Sequence, residues 1–283
     1  MTWIVLALAA GLASAVNVWA SKLLVARLRP AVLGGTVHLT GGLMCLALLP
    51  AFGADLAPAA ERLPHLALMT VVYVAGNGLY FRALAASQLS EVDLLLRSSA
   101  LWTVVGGVAL LREPFGLPSL VGGLLILVSV TLLARAPGRW RFSAPQRLAL
   151  GAAMLFGAGN VIDKAIAAPF HPLGYTALNL VLTGVGMLAI ARPSRAEWLA
   201  PALWRPSAWL VAATFALTQL CIILAFAAGG TAGDVILVAQ ARLLLLVAVG
   251  VIVLRERDRL ARKLGAVALM LAGIAFLSAG GAG

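Results

Sequence analysis

Apolar residues in this 283-residue chain fall into long runs, and proline, glycine and charged residues concentrate in the short stretches between them. A helix needs about 20 predominantly apolar residues to cross a hydrocarbon core of about 30 Å, so each run predicts one transmembrane helix. Ten runs meet this description: residues 3–20, 31–52, 65–86, 91–111, 117–134, 148–166, 173–191, 207–228, 234–254 and 264–281. The connections between them are too short for separate soluble domains.

Composition supports an all-helical membrane protein. The sequence is 62% hydrophobic and 11% charged, with a mean hydropathy of +1.03, whereas soluble domains contain about 45–50% apolar and about 25% charged residues. The formal net charge of +11 does not indicate nucleic-acid binding, because basic residues between apolar runs follow the positive-inside rule. The cysteines and histidines are few and scattered, so we expect no disulfide framework, no metal site and no role for the histidines.

The two halves of the chain share a sequence repeat with an offset of 143 residues. Residues 107–113 read GVALLRE and residues 250–256 read GVIVLRE, and the same offset pairs Asn17 with Asn160. These matches indicate a duplication. They also make residues 3–20 a first span rather than a cleaved leader, because a leader would not share a repeat with the mature chain.

An odd number of spans in each half places the two halves in opposite orientations, as in many secondary transporters. The sequence therefore predicts an all-α integral membrane protein of ten transmembrane helices, arranged as two inverted five-helix repeats. The first repeat covers 1–134, a basic linker covers 135–147, and the second repeat covers 148–283. Fifteen of the 21 lysines and arginines follow odd-numbered spans, which predicts those connections in the cytoplasm and both termini outside.

Two arginines fall inside predicted spans, where a charge costs about 2.5 to 3.5 kcal/mol on insertion scales and calls for a reason. Arg242 lies eight residues past Asp234, about 12 Å into its helix, and Arg97 lies six past Glu91, about 9 Å into its own. The repeat offset pairs Arg97 with Gln240, two residues before Arg242. Residues two apart on a helix point in nearly opposite directions, so only one symmetric pair is expected to face a central cavity fully.

The two arginines have different interpretations. Asp93 lies four residues before Arg97, the spacing of an intrahelical ion pair, so Arg97 is either neutralised there or faces the cavity. Arg242 has no acid four residues away on either side, which favours a site in the cavity, where its charge would attract a carboxylate or phosphate. Glu91 and Asp234, at the starts of the two spans, are candidates for coupling transport to an ion.

Further polar residues within spans are candidates for the same site. Asn17 and Asn160 either hydrogen-bond the substrate or join helices to one another. Tyr80 shares a face of the third span with Asn77, so both are expected to line a cavity. Asp163, one turn beyond Asn160, either takes up protons or is an ordinary charge near the helix end, and the proline that follows favours the second interpretation.

The motifs of each half resemble the drug/metabolite transporter superfamily, in particular its EamA-like permeases with ten spans. The shared pattern is a polar residue and a lysine late in the first span, an alanine-rich step ending the third, a glutamate closing the fourth and a glycine in the fifth. In this chain it comprises Asn17, Lys22, 83–85, Glu113 and Gly122, then Asn160, Lys164, 225–227, Glu256 and Gly265. Proline, common in the middle of the family's fourth span, is absent from 91–111.

The resemblance implies that spans four and nine help to line a central cavity, which places Arg97, Gln240 and Arg242 near the substrate. It also implies that Glu113 and Glu256 tie helix ends. Many members of the family keep their termini in the cytoplasm, so the resemblance and the charge count imply opposite orientations.

The predicted function is a secondary transporter, or permease, that moves a small anionic or zwitterionic metabolite such as an amino acid by alternating access. One alternative is a multidrug exporter of cationic compounds with the same fold, which would favour an acid deepest in the cavity. The other is a membrane-embedded lipid enzyme, but the clustered Asp, Glu or His that such chemistry needs are missing from the sequence.

We expect no enzymatic activity and no cofactor. The sequence has no phosphate-binding loop of the Gly-x-x-x-x-Gly-Lys type, so ATP is not expected to drive transport directly. The expected partners are a small-molecule substrate, the lipid bilayer and either a proton or a counter-substrate. The expected location is the bacterial cytoplasmic membrane.

Overall fold

The structure, a computed structural model, describes residues 2–25, 28–86, 92, 95–134, 143–242 and 260–280. The described part of the chain contains helices, turns and short connections without β-strands, which confirms the predicted all-α class. The main helices, numbered in chain order, are α1 (Thr2–Val25), α2 (Pro30–Leu48), α3 (Leu63–Ala86), α4 (Ser99–Leu111), α5 (Leu117–Ala134), α6 (Ala144–Ile166), α7 (Pro172–Ala191), α8 (Pro206–Ala227), α9 (Ala232–Ala239) and α10 (Leu260–Gly280).

Six of the described helices, α1, α2, α3, α6, α7 and α8, are long and apolar enough to cross a membrane. Shorter apolar helices occur at Ser99–Leu111, Leu117–Ser129 and Leu264–Leu277. Large apolar side chains such as Val71, Leu110 and Ile190 are exposed on the periphery, where lipid would cover them. The predicted ninth span, 234–254, is described only as far as residue 242, and most of the linker 135–147 and the second motif, 250–256, lie outside the described residues.

Equivalent helices of the two halves pack against each other in antiparallel pairs, α2 with α7, α4 with α9 and α5 with α10. In each pair the residue numbers rise along one helix as they fall along the other. The contacts that show this are Gly35 with Leu188, Gly42 with Val181, Val104 with Gly233, Gly122 with Gly273, and Ser129, whose hydroxyl donates to Ala266 O at 2.6 Å. The two halves therefore run in opposite directions, as the odd number of spans predicts.

The two halves interdigitate instead of forming two separate bundles. Helix α1 packs on α8 and α9 of the other half, and α6 packs on α3 and α4, which is the same arrangement with the halves exchanged. Most of the helix packing therefore joins the halves to each other. The division at 134 and 148 as a boundary between folding units stays a prediction.

The described connections sort onto two faces. On one face, called here the odd face, Arg29 after α1 bonds Glu197 after α7, with Arg29 Nε 3.0 Å from Glu197 Oε1. The backbone N–H of Ser194 lowers the pKa of the Glu197 carboxyl, and Arg29 adds to this shift. On the opposite, even face, residues 49–62, 112–116, 167–171 and 228–231 connect the helices. This sorting agrees with the predicted topology.

The fourth and ninth spans are interrupted at equivalent positions, residues 97–98 and 240–241. Hydrogen bonds there run from residue i to residue i−3. Ser98 N donates to Leu95 O at 3.0 Å, and Gln240 N donates to Leu237 O at 3.1 Å. The sequence predicted uninterrupted helices here, and this was wrong. A 3₁₀-type turn inside a helix often marks a functional hinge, and in this chain it forms without the proline that the family often carries.

Candidate functional site

A cavity of about 360 Å³ lies between the two halves, beside the turns in the fourth and ninth spans. Helices α1, α2, α3, α4, α6, α7, α8 and α9 all contribute to its wall, so residues from the whole length of the chain meet there. Hydroxyl and amide groups dominate its polar lining, together with apolar and aromatic side chains such as Phe156, Phe215 and Ile222. No carboxylate is among the described residues that line it.

Most of the substrate-binding residues predicted from the sequence lie on this cavity wall. They are Arg242, Gln240, Asn17, Asn160 and Tyr80, and the expected cavity residue Asn77 lies there too. The helix turns explain why Gln240 and Arg242 both reach the cavity, although they are only two residues apart. Of the two symmetric pairs, Ser99 and Arg242 both line the cavity, whereas Arg97 of the other pair does not, which agrees with the expectation that only one pair faces it fully.

Arg242 supplies the cavity with a positive charge. It is partly buried, and its Nη1 donates to the hydroxyl of Ser14 on α1 at 2.9 Å. Ser14 lies one turn from Gly11, which lets the backbone of α1 approach residues 239–242; a Cβ at Gly11 would lie 2.9 Å from Ala239 O. Close packing of α1 on the turn therefore brings the serine within reach of the guanidinium.

Arg97 does not line the cavity. It is buried, and its Nη1 donates to Gln240 Oε1 at 3.3 Å, so the two residues that the repeat makes equivalent contact each other between α4 and α9. Arg97 thus supports the cavity wall from behind, through Gln240. Its predicted ion pair with Asp93 lies outside the described residues.

Asn17 and Asn160 line the cavity and also join helices. Asn17 Nδ2 donates to Val211 O on α8 at 2.7 Å and lies 3.3 Å from Thr214 Oγ1. Asn160 Nδ2 donates to Thr103 Oγ1 on α4 at 3.1 Å. These hydrogen bonds use the amide nitrogens. Each side chain therefore joins two helices and also lies on the cavity wall.

Asp163 is not an ordinary charge near a helix end, and that interpretation was wrong. The residue is 1% exposed, on the part of α6 that adjoins α3 and α7. Its carboxylate accepts hydrogen bonds from Tyr73 Oη at 2.6 Å, Tyr175 Oη at 2.7 Å and Asn179 Nδ2 at 3.0 Å. Tyr73 and Asn179 line the cavity, whereas Asp163 lies behind them.

The other two predicted coupling residues are not part of the described cavity. Asp234 lies in the first turn of α9, where its backbone N–H donates to Thr231 Oγ1 at 3.1 Å. The helix dipole stabilises a carboxylate at this position. Glu91 lies outside the described residues. The position of Asp234 does not indicate a contact with the substrate.

Helix ends on the even face are tied by two charged residues of the family motifs. Both carboxylate oxygens of Glu113 accept from Ala232 N, at 2.8 and 3.0 Å, which caps the start of α9. Lys164 Nζ donates to Phe226 O at 2.9 Å and Gly230 O at 2.8 Å, at the end of α8. The expectation that Glu113 ties a helix end agrees with this contact; Glu256 lies outside the described residues.

Several residues at or behind the cavity wall were missed by sequence reasoning. His38 was expected to have no role, but it lies on the wall, with Nδ1 2.8 Å from Gly34 O and its ring centroid 4.5 Å from that of Phe215. Tyr175 and Asn179 were not singled out, although their spacing of four residues puts them on one face of α7. The histidine carried no such signal, because its neighbours in the cavity come from other helices.

The arrangement is suited to binding a small polar molecule within a membrane. The described residues contain no cluster of His, Cys, Asp or Glu that could hold a metal ion. Apolar helices in two inverted halves, with a polar cavity between them, are the arrangement of many secondary transporters.

Comparison with known proteins supports the resemblance inferred from the motifs. Residues 1–135 match the family model of the EamA-like transporter family, which confirms the resemblance over this part of the chain. The protein is a multi-pass membrane protein.

The fold extends over nearly the whole chain. A crystal structure that is 19% identical in sequence aligns with 97% of this chain and 95% of its own, with a TM-score of 0.68. Matches of this kind were found to 23 chains of solved structures, and they show the fold alone. No curated protein matches the sequence.

Proposed function

We propose that the protein is a secondary transporter that moves a small anionic or zwitterionic metabolite, such as an amino acid, across the bacterial cytoplasmic membrane. The observation that carries this proposal is the guanidinium of Arg242 on the wall of a cavity that no described carboxylate lines. The attraction between a fixed cation and an anionic group is stronger in such a place than in water, because the surroundings are weakly polarisable. The same charge disfavours a cationic substrate.

The rest of the wall suits a molecule that combines charge with other polar groups. Asn17, Asn77, Asn160 and Gln240 bring amides that donate and accept hydrogen bonds, and Tyr80 brings a hydroxyl. The volume of about 360 Å³ lies at the lower end of small-molecule sites, which run from about 300 to 1,000 Å³. A small metabolite fits this space better than a large amphiphile.

Alternating access has a structural basis in the inverted halves. A large apolar core, which includes Trp3, Leu66, Phe170, Tyr175 and Phe226, packs helix ends and connections on the even face. The turns at 97–98 and 240–241 lie beside the cavity and provide points at which the spans can bend. Exchanging the packing of the two inverted halves would give the cavity access to one face and then to the other.

The proposal is tested by a thermal-shift screen of the purified protein against monocarboxylates, amino acids, phosphate monoesters and the hydrophobic cation tetraphenylphosphonium. A ligand that binds the folded state stabilises it by mass action. We expect stabilisation by a compound with a carboxylate or phosphate. Stabilisation by the cation alone would instead support the exporter of cationic compounds.

Arg242→Ala then tests the site. Removing one partner of a buried charged contact costs about 2 to 5 kcal/mol, so we expect the Kd of the stabilising anion to rise at least about 30-fold. Arg242→Lys keeps the charge but loses the planar donor geometry and should recover part of the affinity. Arg82→Ala, which removes an exposed arginine of α3 away from the wall, is the matched control. Unchanged anion affinity in Arg242→Ala would contradict the proposed site.

A further inference from the structure

We propose that Asp163 is a proton-binding site that couples transport to a proton gradient, with Tyr73, Tyr175 and Asn179 as the shell that holds it. This inference rests on the transporter function proposed above and identifies its coupling ion. An ionisable group enclosed within a membrane protein is costly and by default indicates a functional site. The geometry around Asp163 indicates what that function is.

The shell of Asp163 can accommodate both charge states of the carboxyl group. In the ionised state, Tyr73 donates to Oδ2, while Tyr175 and Asn179 donate to Oδ1. The Tyr175 hydroxyl also lies 3.3 Å from Met69 Sδ, a second and weaker acceptor. When a proton binds Oδ1, the new O–H can donate to Tyr175 Oη, and the Tyr175 hydroxyl turns its own proton to Met69 Sδ. No hydroxyl proton is left without an acceptor in either state.

The site lies one side chain away from the substrate cavity. Tyr73 and Asn179 contact Asp163 and also line the cavity, and Asn160, on the wall, precedes Asp163 by less than one turn of α6. Water in the cavity therefore has a short route for a proton, by way of the Tyr73 hydroxyl. This proximity allows the occupancy of the cavity and the charge of Asp163 to influence each other.

The other ionisable groups on the helices packed around α6 have positions of their own. Lys164, the neighbour of Asp163, is turned toward the end of α8, and Glu113 caps α9. The remaining basic, acidic and histidine residues on α3, α4, α7, α8 and α9 and directly at their ends are Arg62, His65, Arg82, Arg97, Arg112, His171, Arg192, Arg205, Asp234 and Arg242. Among the described residues, the hydrogen-bonding partners of the Asp163 carboxylate are the two tyrosines and Asn179.

Asp163 has no equivalent acid in the first half of the chain. The residue equivalent to Asp163 in the first half is Ala20, which is fully buried, so the even face has a titratable group where the odd face has a methyl group. Tyr73 and Tyr175 both belong to the apolar core that packs helix ends on the even face. Protonation weakens the three hydrogen bonds to the carboxylate, because an ionised acceptor forms stronger bonds than a neutral one. Proton binding should therefore favour opening on this face.

The charges also indicate a stoichiometry. A monoanion in the cavity and one proton on Asp163 carry opposite charges, so together they bind with no change in the net charge of the region. Moving uncompensated charge through a weakly polarisable interior is costly. We therefore expect cotransport of one proton with a monoanion, without net charge movement.

Infrared spectroscopy of the purified protein in lipid tests proton binding without any substrate. Acidification should produce the C=O stretching band of protonated carboxylic acids, and Asp163→Asn should remove the component of that band that belongs to Asp163. Asp234→Asn removes another partly buried carboxyl group and is the control that should keep this component. Persistence of the whole band in Asp163→Asn would overturn the proposal.

Tyr175→Phe removes one donor to the ionised form and keeps the acid. Its band should appear about one pH unit higher, because the charged form has lost a hydrogen bond. Thr176→Val is the matched control, since the Thr176 hydroxyl bonds Pro172 O within its own helix. A midpoint that does not differ between Tyr175→Phe and Thr176→Val would contradict the shell.

The reaction rate of Cys221, a buried residue of the core on the even face, measures whether proton binding changes the conformation. In Cys45→Ala protein at alkaline pH, adding Asp163→Asn, which mimics the protonated acid, should make Cys221 react with N-ethylmaleimide several-fold faster. Equal rates would overturn the coupling. Failure of these tests with intact anion binding would leave the transporter proposal standing, whereas a normal titration of Asp163 without any anion binding would contradict only the proposed substrate.

Discussion

At the scale of single residues, the cavity is lined at positions where equivalent residues of the two halves differ. Arg242 is equivalent to Ser99 by the repeat, and its partner Ser14 is equivalent to Gly157. One pair across the halves is therefore Ser99 against Gly157, with close backbone contact, and the equivalent pair is Arg242 bonded to Ser14. Equivalent places in the fold thus serve helix packing in one pair and hold a charge in the other.

Ser14→Ala tests whether the serine orients Arg242. A hydrogen bond to a charged group contributes about 1.5 to 3 kcal/mol, so we expect the Kd of a bound anion to rise about tenfold or more. Ser21→Ala, further along α1 and away from the cavity, is the control. The measurement is the concentration dependence of thermal stabilisation by the anion found in the screen. If both variants bind this anion as the unmodified protein does, Ser14 has no orienting role.

At the scale of elements, glycines decide how closely the helices pack around the turns. A Cβ at Gly157 would lie 2.5 Å from Trp102 Cβ and 2.9 Å from Ser99 O, so α6 can contact α4 only with glycine at this position. Small residues at such crossings let helix backbones approach in membranes, where lipid gives no hydrophobic drive for association. A Cβ at Gly265 on α10, in contrast, would meet no atom within 4 Å.

These two glycines predict opposite effects of the same substitution. Gly157→Ala should destabilise the protein by about 1 to 3 kcal/mol, the usual cost of overpacking. Gly265→Ala should be neutral or stabilise by up to about 1 kcal/mol, the gain in helix propensity. Unfolding of the purified variants by heat in the same detergent measures the difference. Equal stability of the two variants would show that α4 and α6 are not in close contact.

At the scale of the whole molecule, antiparallel pairing of equivalent helices makes each half depend on the other. Helices α2, α4 and α5 find their symmetric partners only in the second half, and α1 and α6 exchange neighbours in the same way. In the sequence, most arginines and lysines fall in the connections that are predicted to lie on the odd face. The positive-inside rule therefore predicts that this face lies in the cytoplasm.

Orientation can be measured with one cysteine on each face. In a protein with Cys45→Ala and Cys221→Ala, Ala60→Cys and Ala196→Cys place exposed thiols on the even and odd faces. We expect a membrane-impermeant maleimide to label Ala60→Cys in intact cells and to label Ala196→Cys only after permeabilisation. The reverse pattern would show that the termini lie in the cytoplasm, as in many members of the family.

The sequence by itself determined the membrane class, the approximate helix bounds and the opposite orientation of the halves. Each depends on a local property: twenty apolar residues suffice to predict a span, and an odd number of spans in a duplication suffices to predict inversion. It also marked Arg242 and Asn17, because a polar group within an apolar run is visible without knowing its neighbours.

Only the tertiary structure decided which of these side chains meet. Tyr73 and Asp163 are 90 residues apart in sequence and 2.6 Å apart in space, so nothing near Asp163 in the chain distinguished a buried proton site from a charge at a helix end. The turns at 97–98 and 240–241 likewise arise without proline. They lie where α6 packs closely against the fourth span and α1 packs closely against the ninth. The hydropathy of a residue can be read from the residue itself. The side chains that surround a buried charge come from helices of both halves, so they are known only once the helices are packed.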